Sequence, residues 1–552
     1  MPQCISNFVT GSAYSGLATD KLDTPSFAVD WFEEVNQLLC RGDVGQYPLL
    51  YSPKITIYKK LKLMSRMLKN IGWIMISFAP ITTKSFFITK VIPTIFTITF
   101  ILGSVTQLFF FKTNDWDFSY FSVLPWNIAN GYGWHVPFHE IDTGIPFYAH
   151  HWQPFISLLV PIVYLFETPY ALSVVHGLAI GSWFFIVPYI IKIIYLERGQ
   201  ENYEHVILFF LLFMFFYYPL LGPWRYQTHI TTLVSPAIFL SIIALHKKKF
   251  KTAFFWCVII ASGQERSAVA VFSVGMYSLL LLGQGGTGII LCSFSTLYFA
   301  SVVKLLFPLL RDGQPYAFSD CIVGPYDILK KITFIFNYIL YTAFLPVFGK
   351  KAFLTFFCLL PLFSMALISN REGLYSFQFQ YQDISAPFVI ISAIYGSLWL
   401  SEKKIVGRFS KKILVVFACI IFASSFWLSK ASHPLSLIPW YFYKNPVNSV
   451  VLLHGDVSNL LQISNGHVLY VQSGIGPIIS MRKDRFVVHQ GNLNNEFTNS
   501  IVAISPMCDQ YLLGDYETAQ KLLTENPTLK LISDTGRLKI FASKDIKLVS
   551  ND

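Results

Sequence analysis

Asp115 and Asp117 flank Trp116 in the stretch Lys112-Thr-Asn-Asp-Trp-Asp-Phe-Ser-Tyr120, directly after a long apolar run. The loop they open also carries His135, His139, Glu140, Asp142, His150 and His151. Two carboxylates in one triplet can divide labour, one as a general base at a membrane-facing pocket and the other on a divalent cation. An Asp-x-Asp triplet is also what a solvated acidic loop at a helix end looks like, so it identifies nothing by itself. The histidines have neither the cysteine nor the carboxylate spacing of a zinc motif, and bonding to a phosphate or to the loop backbone suits them better.

The residues that must position this loop are those of a membrane protein. Of 552 residues 53% are hydrophobic and only 13% charged, and the mean hydropathy is +0.50, which excludes a soluble domain of this length. The expected fold is an α-helical polytopic membrane protein with about 11–13 transmembrane helices and a small C-terminal extracytoplasmic α/β domain. Spans are expected near 91–111, 153–169, 171–196, 205–221, 229–245, 252–262, 267–283, 289–310, 332–348, 352–369, 384–401 and 412–429. The 252–262 piece is too short alone, so Thr252 to Gly283 reads as two helices meeting at Gly263-Gln-Glu-Arg266, or as a re-entrant half-helix.

The net charge of +11 does not indicate a nucleic-acid partner, because the positive residues lie in short clusters between spans. They report orientation instead. Residues 1–70 read as a cytoplasmic tail ending in the basic amphipathic stretch Lys54–Lys69, suited to an anionic lipid surface. The clusters His246–Lys251, Lys350–Lys351 and Lys403–Lys412 then fall on the same cytoplasmic side. Residues 71–429 form the multispanning domain, with 112–152 as its first outer loop. Residues 430–552 form the outer domain, placed outside by an even number of crossings after Val91.

In that outer domain Ser449–Leu453, His467–Val471, Arg485–Val488, Ser500–Ile504 and Leu538–Phe541 read as strands, and Asp515–Asn526 as a helix. The eight cysteines sit singly and most of them read as small core residues, and no repeat is visible.

In this topology polar residues near span ends gather on the outer face, among them His229, Gln264, Glu265, Arg266, Arg371, Glu372, Tyr381 and Asp383. Ionisable groups at membrane depth cost several kcal/mol when unpaired, so they line a cavity or pair with one another. Arg225 and Arg266 are suited to an anionic head group, because a guanidinium matches phosphate oxygens with paired donors. Arg266 is equally suited to a structural ion pair, and Arg225 beside aromatic residues to anchoring at the interface.

The order of motifs carries more than any one of them. Asp117-Phe-Ser-Tyr-Phe with Trp126-Asn127, His151-Trp-Gln-Pro154, Tyr226-Gln-Thr-His229, Gln264-Glu-Arg266 and Gln380-Tyr-Gln382 before Pro387 together resemble domain of unknown function 2079. The likeness runs from about Val91 to the C-terminal domain. The chain departs from the family pattern near the first triplet, at Trp152-Gln153 where a His-x-Ser-Pro is usual, and at Gln264-Glu265-Arg266, where a base replaces an acid.

That family looks like the GT-C glycosyltransferases. The resemblance implies a lipid-linked sugar donor, membrane lipids around it, an extracytoplasmic acceptor, and the plasma (inner) membrane of a bacterium. It implies Asp117 or Asp115 as catalytic base, and His151, Arg225, His229, Glu265, Arg266, Arg371 and Tyr381 as substrate-binding residues, with a divalent cation left open as the cofactor. A transporter or flippase is the rival, expected to show broken helices and polar groups deep in several spans. A non-catalytic scaffold would leave the acidic loop without a purpose.

Overall fold

The computed structural model describes residues 83–113, 115–136, 144–311, 313, 327–369, 372–377, 380–403, 433–482, 485–508 and 513–546. The Lys54–Lys69 stretch and the expected span at 412–429 lie outside them. The helices in chain order are α1 (Phe87–Phe109), α2 (Asp115–Ala129), α3 (Phe147–His150), α4 (Val160–Phe166), α5 (Tyr170–Leu196), α6 (Glu204–Phe216), α7 (Tyr218–Tyr226), α8 (Ile230–His246), α9 (Phe250–Ala261) and α10 (Ser267–Leu280). There follow α11 (Gly285–Leu310), α12 (Ile328–Tyr341), α13 (Lys350–Phe357), α14 (Leu360–Ile368), α15 (Ala386–Glu402), α16 (Pro434–Lys444), α17 (Val447–Ile463) and α18 (Tyr516–Glu525).

Three helices, α1, α5 and α11, are each long and apolar enough to cross a bilayer. Two pairs reach that length only together, each as a broken span or a re-entrant loop: α6 and α7 bend by 48°, and α13 and α14 by 46°. Shorter apolar helices pack among them, consistent with a polytopic membrane protein.

The spans share two ends. At one, Glu197 after α5 bonds His246 of α8 at 2.8 Å, His246 bonds Tyr277 of α10 at 2.7 Å, and Tyr277 bonds Tyr395 of α15 at 2.9 Å. Lys351 lies over the Tyr395 ring, and Lys247 over the Tyr189 ring. Hence the basic clusters at His246–Lys251 and Lys350–Lys351 do gather at one end of the bundle. His229, Gln264–Arg266 and Asp383 stand at the opposite ends of the same helices.

The segment expected as a span at 153–169 is not one. A 3₁₀ stretch, Pro154–Leu159, leads into the short α4, and the chain returns to the end it left. Phe155 N bonds Ser262 O at its start, and Leu172 O accepts from Thr228 just beyond its finish. Pro154 and Pro161 weaken the helical ladder there, so the apolar run folds into a short hairpin-like insert. The acidic loop expected from residue 112 onward instead opens as α2, which packs its buried Phe118, Phe121 and Leu124 against α4.

Without a water-driven force between helices, close backbone approach sets which spans meet. Gly177 and Gly181 of α5 are spaced Gly-x-x-x-Gly and let α1 in. A Cβ on Gly177 would stand 2.6 Å from the Ile101 Cα, and one on Gly181 2.4 Å from the Thr97 Cγ2. Thr97 Oγ1 then donates to Gly181 O at 3.0 Å. On α1 itself, Gly103 leaves room for the buried Trp224, whose indole N–H reaches Phe100 O and Ser104 Oγ.

The C-terminal domain is a five-stranded mixed sheet of order β2-β1-β3-β5-β4, made of β1 (Val468–Val471), β2 (Arg485–Val487), β3 (Ser500–Ile504), β4 (Leu529–Asp534) and β5 (Lys539–Ser543). β1 is parallel to β2 and β3, and β5 is antiparallel to β3 and β4. Alternation splits its faces: Val502, Ile504 and Phe541 pack with α18, while Leu469, Val471, Ile501 and Ala503 join a core that includes α17 and the spans. Asp515 caps α18 by accepting from Thr518 N and Oγ1, which holds its carboxyl below the ordinary range.

Ser449–Leu453 is helix rather than strand. Its apolar residues belong to a longer pattern, Val450, Leu453, Val457 and Leu460, that buries one face of α17. β4, absent from the sequence reading, is a mostly exposed strand at the edge of the sheet, with Lys530 outward. The domain is fastened to the bundle by Lys112 Nζ to Met507 O and His454 Nε2 to Phe109 O, both at 2.9 Å, and by the His454 ring against Phe111.

The α1–α5 crossing yields the first prediction. Gly177→Leu should lower the thermal stability of detergent-purified protein by about 1–3 kcal/mol or more, since overpacking here displaces backbone. Leu178→Ala on the exposed side should leave it within about 0.5 kcal/mol. Equal melting of the two variants would refute the close crossing.

Candidate functional site

Helix ends set the level of the site. The break Gly263–Arg266 joins the end of α9 to the start of α10. Thr113, just past α1, donates to Gln227 Oε1 at 3.0 Å, and Thr228 Oγ1 donates to Leu172 O in the first turn of α5, so the residues before α8 stand level with the ends of α1 and α5. The first residues before α8 and α15 meet it at the same level.

Four segments converge there. Arg266 donates through Nε to Gln264 Oε1 at 2.7 Å and through Nη2 to Thr231 Oγ1 at 3.1 Å. Its guanidinium lies 4.5 Å from the Tyr381 ring centre and 3.9 Å from Asp383 Oδ1. Asp383, 1% exposed, accepts from the hydroxyls of Thr231 and Thr232. Since Thr231 has one proton and gives it to Asp383, His229 Nδ1, 2.6 Å from Thr231 Oγ1, must be the protonated nitrogen that donates. One buried cation and one buried anion thus share a hydroxyl, and the imidazole between α7 and α8 is held in a single tautomer.

Beside this lies a second pair. Glu265 Oε1 is 3.0 Å from His151 Nδ1, and its Oε2 accepts from Trp152 N at 3.1 Å. Gln264 Nε2 stands 2.9 Å from the same His151 nitrogen. Because Nδ1 faces an acceptor and a donor at once, its proton decides which bond forms. The Glu265 side chain is only 4% exposed while that of His151 is 31% exposed, so the imidazole is the accessible end of the pair. The chemistry available is proton exchange at a histidine backed by a buried carboxylate.

Arg266 and Tyr381 also line a small cleft with Gln382 and Ser385, closed by Phe334 and Phe363. Its far wall is fixed by Tyr338, whose hydroxyl donates to Gln382 Oε1.

The acidic helix is one contact away. Phe121 of α2 packs edge-on to His229 with ring centres 5.3 Å apart, and Asp117 lies one turn upstream in the same helix. The side chains of Asp115 and Asp117 lie outside the described residues, as do His139, Glu140, Asp142, Arg371 and the Glu372 side chain. Of the expected substrate-binding residues, His151, His229, Glu265, Arg266 and Tyr381 come together. Arg225 does not sit buried with them: it is exposed on the last turn of α7, with Tyr218 within range of its charge. His150 packs its ring against His151, and the His135 carbonyl accepts from Asn127. Among the described residues no three His, Cys, Asp or Glu side chains are placed to hold a metal ion.

Sequence reading noted Asp383 without giving it a role, and passed over Thr231 and Thr232. The available signal was position: an acid immediately before one span and paired hydroxyls in the first turn of another.

The profile of a family described as predicted membrane protein (DUF2079) matches residues 107–449, more than half of the chain. The chain belongs to the DUF2079 family. The match runs from the last turn of α1 to the first turn of α17, so every residue of the cluster lies within it and the sheet lies beyond it. No curated protein and no solved structure matches this DUF2079 protein.

The buried pair predicts a coupling. Asp383→Asn and Arg266→Gln should each destabilise the protein by about 3–5 kcal/mol, because either leaves an uncompensated buried charge. The double variant should lose less than the sum of the two, and an additive thermal-stability cycle would mean the groups do not interact.

Proposed function

We propose that this DUF2079 protein is an integral-membrane glycosyltransferase that moves a sugar from a polyprenyl-phosphate donor to an extracytoplasmic acceptor. The observation that carries the reading is the buried cluster itself: a guanidinium on an aromatic ring, a histidine–carboxylate pair and a helix with two aspartates meet at one level near the end of the spans. A lipid-linked donor keeps its tail in the bilayer and its phosphate at the interface, near the ends of the spans.

In this reading Asp117, or Asp115, takes the proton of the acceptor hydroxyl. The acceptor oxygen attacks the anomeric carbon, the bond from that carbon to the phosphate oxygen breaks, and polyprenyl phosphate leaves with inversion. Arg266 stabilises the charge developing on the phosphate in a water-poor setting. His151, backed by Glu265, donates to a phosphate or sugar oxygen, and Tyr381 holds the guanidinium in place. Arg225 and Arg371 would meet the head group from the rim, and a divalent cation on the paired aspartates would share the phosphate charge. The tail at 1–70 is cytoplasmic, and the sheet domain shares the outer side with the chamber.

The two bent spans favour one second reading, a transporter or flippase, since broken helices are how transporters expose backbone to a substrate. Reconstituted vesicles separate the two. With polyprenyl-phosphate sugars, Asp117→Asn and Glu265→Gln should each lower transfer by about 100-fold or more without lowering the amount of folded protein. Movement of labelled lipid or solute by wild type, with no transfer from any donor, would establish transport instead. For orientation, single cysteines at Asn130 and Lys248 in a cysteine-free background should react with impermeant reagents from opposite sides. Labelling from one side would overturn the layout.

A further inference from the structure

Away from the buried cluster, a cleft of about 420 Å³ opens where the sheet domain meets the outer helices. That volume lies within the ~300–1,000 Å³ typical of small-molecule sites. One wall is aromatic: Trp126 on α2 and Tyr132 just beyond it hold their rings 5.7 Å apart at 35°, and Tyr132 is 47% exposed. The opposite wall is the loop after α17, with Asn465 and Gly466, and the segment that ends at Met481 and Arg482.

Arg482 is fixed rather than floppy. Its guanidinium donates to Ser464 Oγ at 2.8 Å, to Ser464 O at 2.5 Å and to His467 O at 2.6 Å, which ties the two lips of that wall together. Across from it Glu167 ends α4 in a left-handed conformation, φ +48°. A non-glycine residue held there marks a backbone shaped by something other than local preference. Gly466, φ +81°, has nothing within 4 Å of where a Cβ would stand, so the lip is open above its backbone.

The charges decide the ligand class. Glu167 and Arg482 are the two charged residues of its lining, so the cleft offers no excess of positive charge to a phosphate and no excess of negative charge to a cation. What remains is a flat aromatic face, an amide, a carboxylate and a guanidinium. A pyranose presents apolar C–H bonds on its face and hydroxyls around its edge, and matches that set.

We propose that this cleft binds a neutral saccharide, with a sugar ring on Tyr132 and Trp126 and its hydroxyls bonded by Asn465 and Glu167. Its role as the acceptor subsite rests on the glycosyltransferase reading; binding itself does not. The cleft borders the α2 helix that carries Asp115 and Asp117, and the sheet domain closes it through Met481 and Ile478, which pack on the α2–α4 cluster.

The test uses full-length protein in lipid nanodiscs and saturation-transfer NMR with three probes, mannotriose, cellotriose and triacetylchitotriose, and glycerol 1-phosphate as the charged comparison. At least one trisaccharide should bind, with saturation strongest at ring protons, and Tyr132→Ala should weaken it about tenfold. Asn465→Ala, on the opposite lip, should weaken it as well. No binding of any trisaccharide, binding unchanged in both variants, or preference for glycerol 1-phosphate would each overturn the proposal. Saccharide binding without transfer from any lipid-linked donor would sink the transferase reading and leave the cleft standing. Transfer that persists with no saccharide bound would do the reverse.

Discussion

Everything at the His229 end of the bundle depends on bringing one guanidinium and one carboxylate out of water at the same place. Arg266 and Asp383 come from helix breaks 117 positions apart in sequence, and neither could be buried without the other. The protein solves this by starting α8, α10 and α15 at the same level. Two hydroxyls from the first turn of α8 donate to Asp383, and the Arg266 guanidinium stands 3.9 Å away. Helix ends leave backbone groups without intrahelical partners, and within a membrane such backbone is tolerated only where protein or a cavity covers it. Tyr381 over the guanidinium and Phe121 against His229 provide that cover.

The same constraint explains why the bundle can hold a reactive pair at its edge. Arg266 bonds Gln264 and Thr231 beside the Asp383 charge, while Glu265 engages His151 and the Trp152 amide rather than the neighbouring arginine. Gln264 connects the two halves, bonding Arg266 with its oxygen and approaching His151 with its nitrogen. A change of charge at His151 is thereby felt at Arg266 through one amide.

How much of this was legible in the sequence follows from what each element buries. Long spans show as unbroken apolar runs whether they face lipid, as α11 does, or protein, as more than half of α5 does, which is why α1, α5 and α11 could be read directly. The insert at Pro154–Phe166 is equally apolar, and only contacts at both of its ends show that it turns back. β3 was legible because it is apolar on both faces, while Ser449–Leu453 misled because five residues cannot distinguish a strand from one flank of a helix. Gly177 and Gly181 carry a spacing that was visible, yet what they meet on α1 is a matter of tertiary packing. The gathering of Gln264, Glu265 and Arg266 could be expected from a polar break inside an apolar stretch. Its partners Asp383, Thr231 and Thr232 could not, since nothing local says which helix ends will share a depth.

The two features are related through one element. The buried cluster lies among the first turns of short helices, whereas the aromatic cleft is lined by α2, the end of α4 and segments next to the sheet. On α2, Phe121 meets His229, and Trp126, further along the same helix, lines the cleft. The first turn of that helix contains Asp115 and Asp117, so the acids stand on the element common to both features. A purely structural role for the acidic triplet would give no reason for the helix that bears it to be shared in this way.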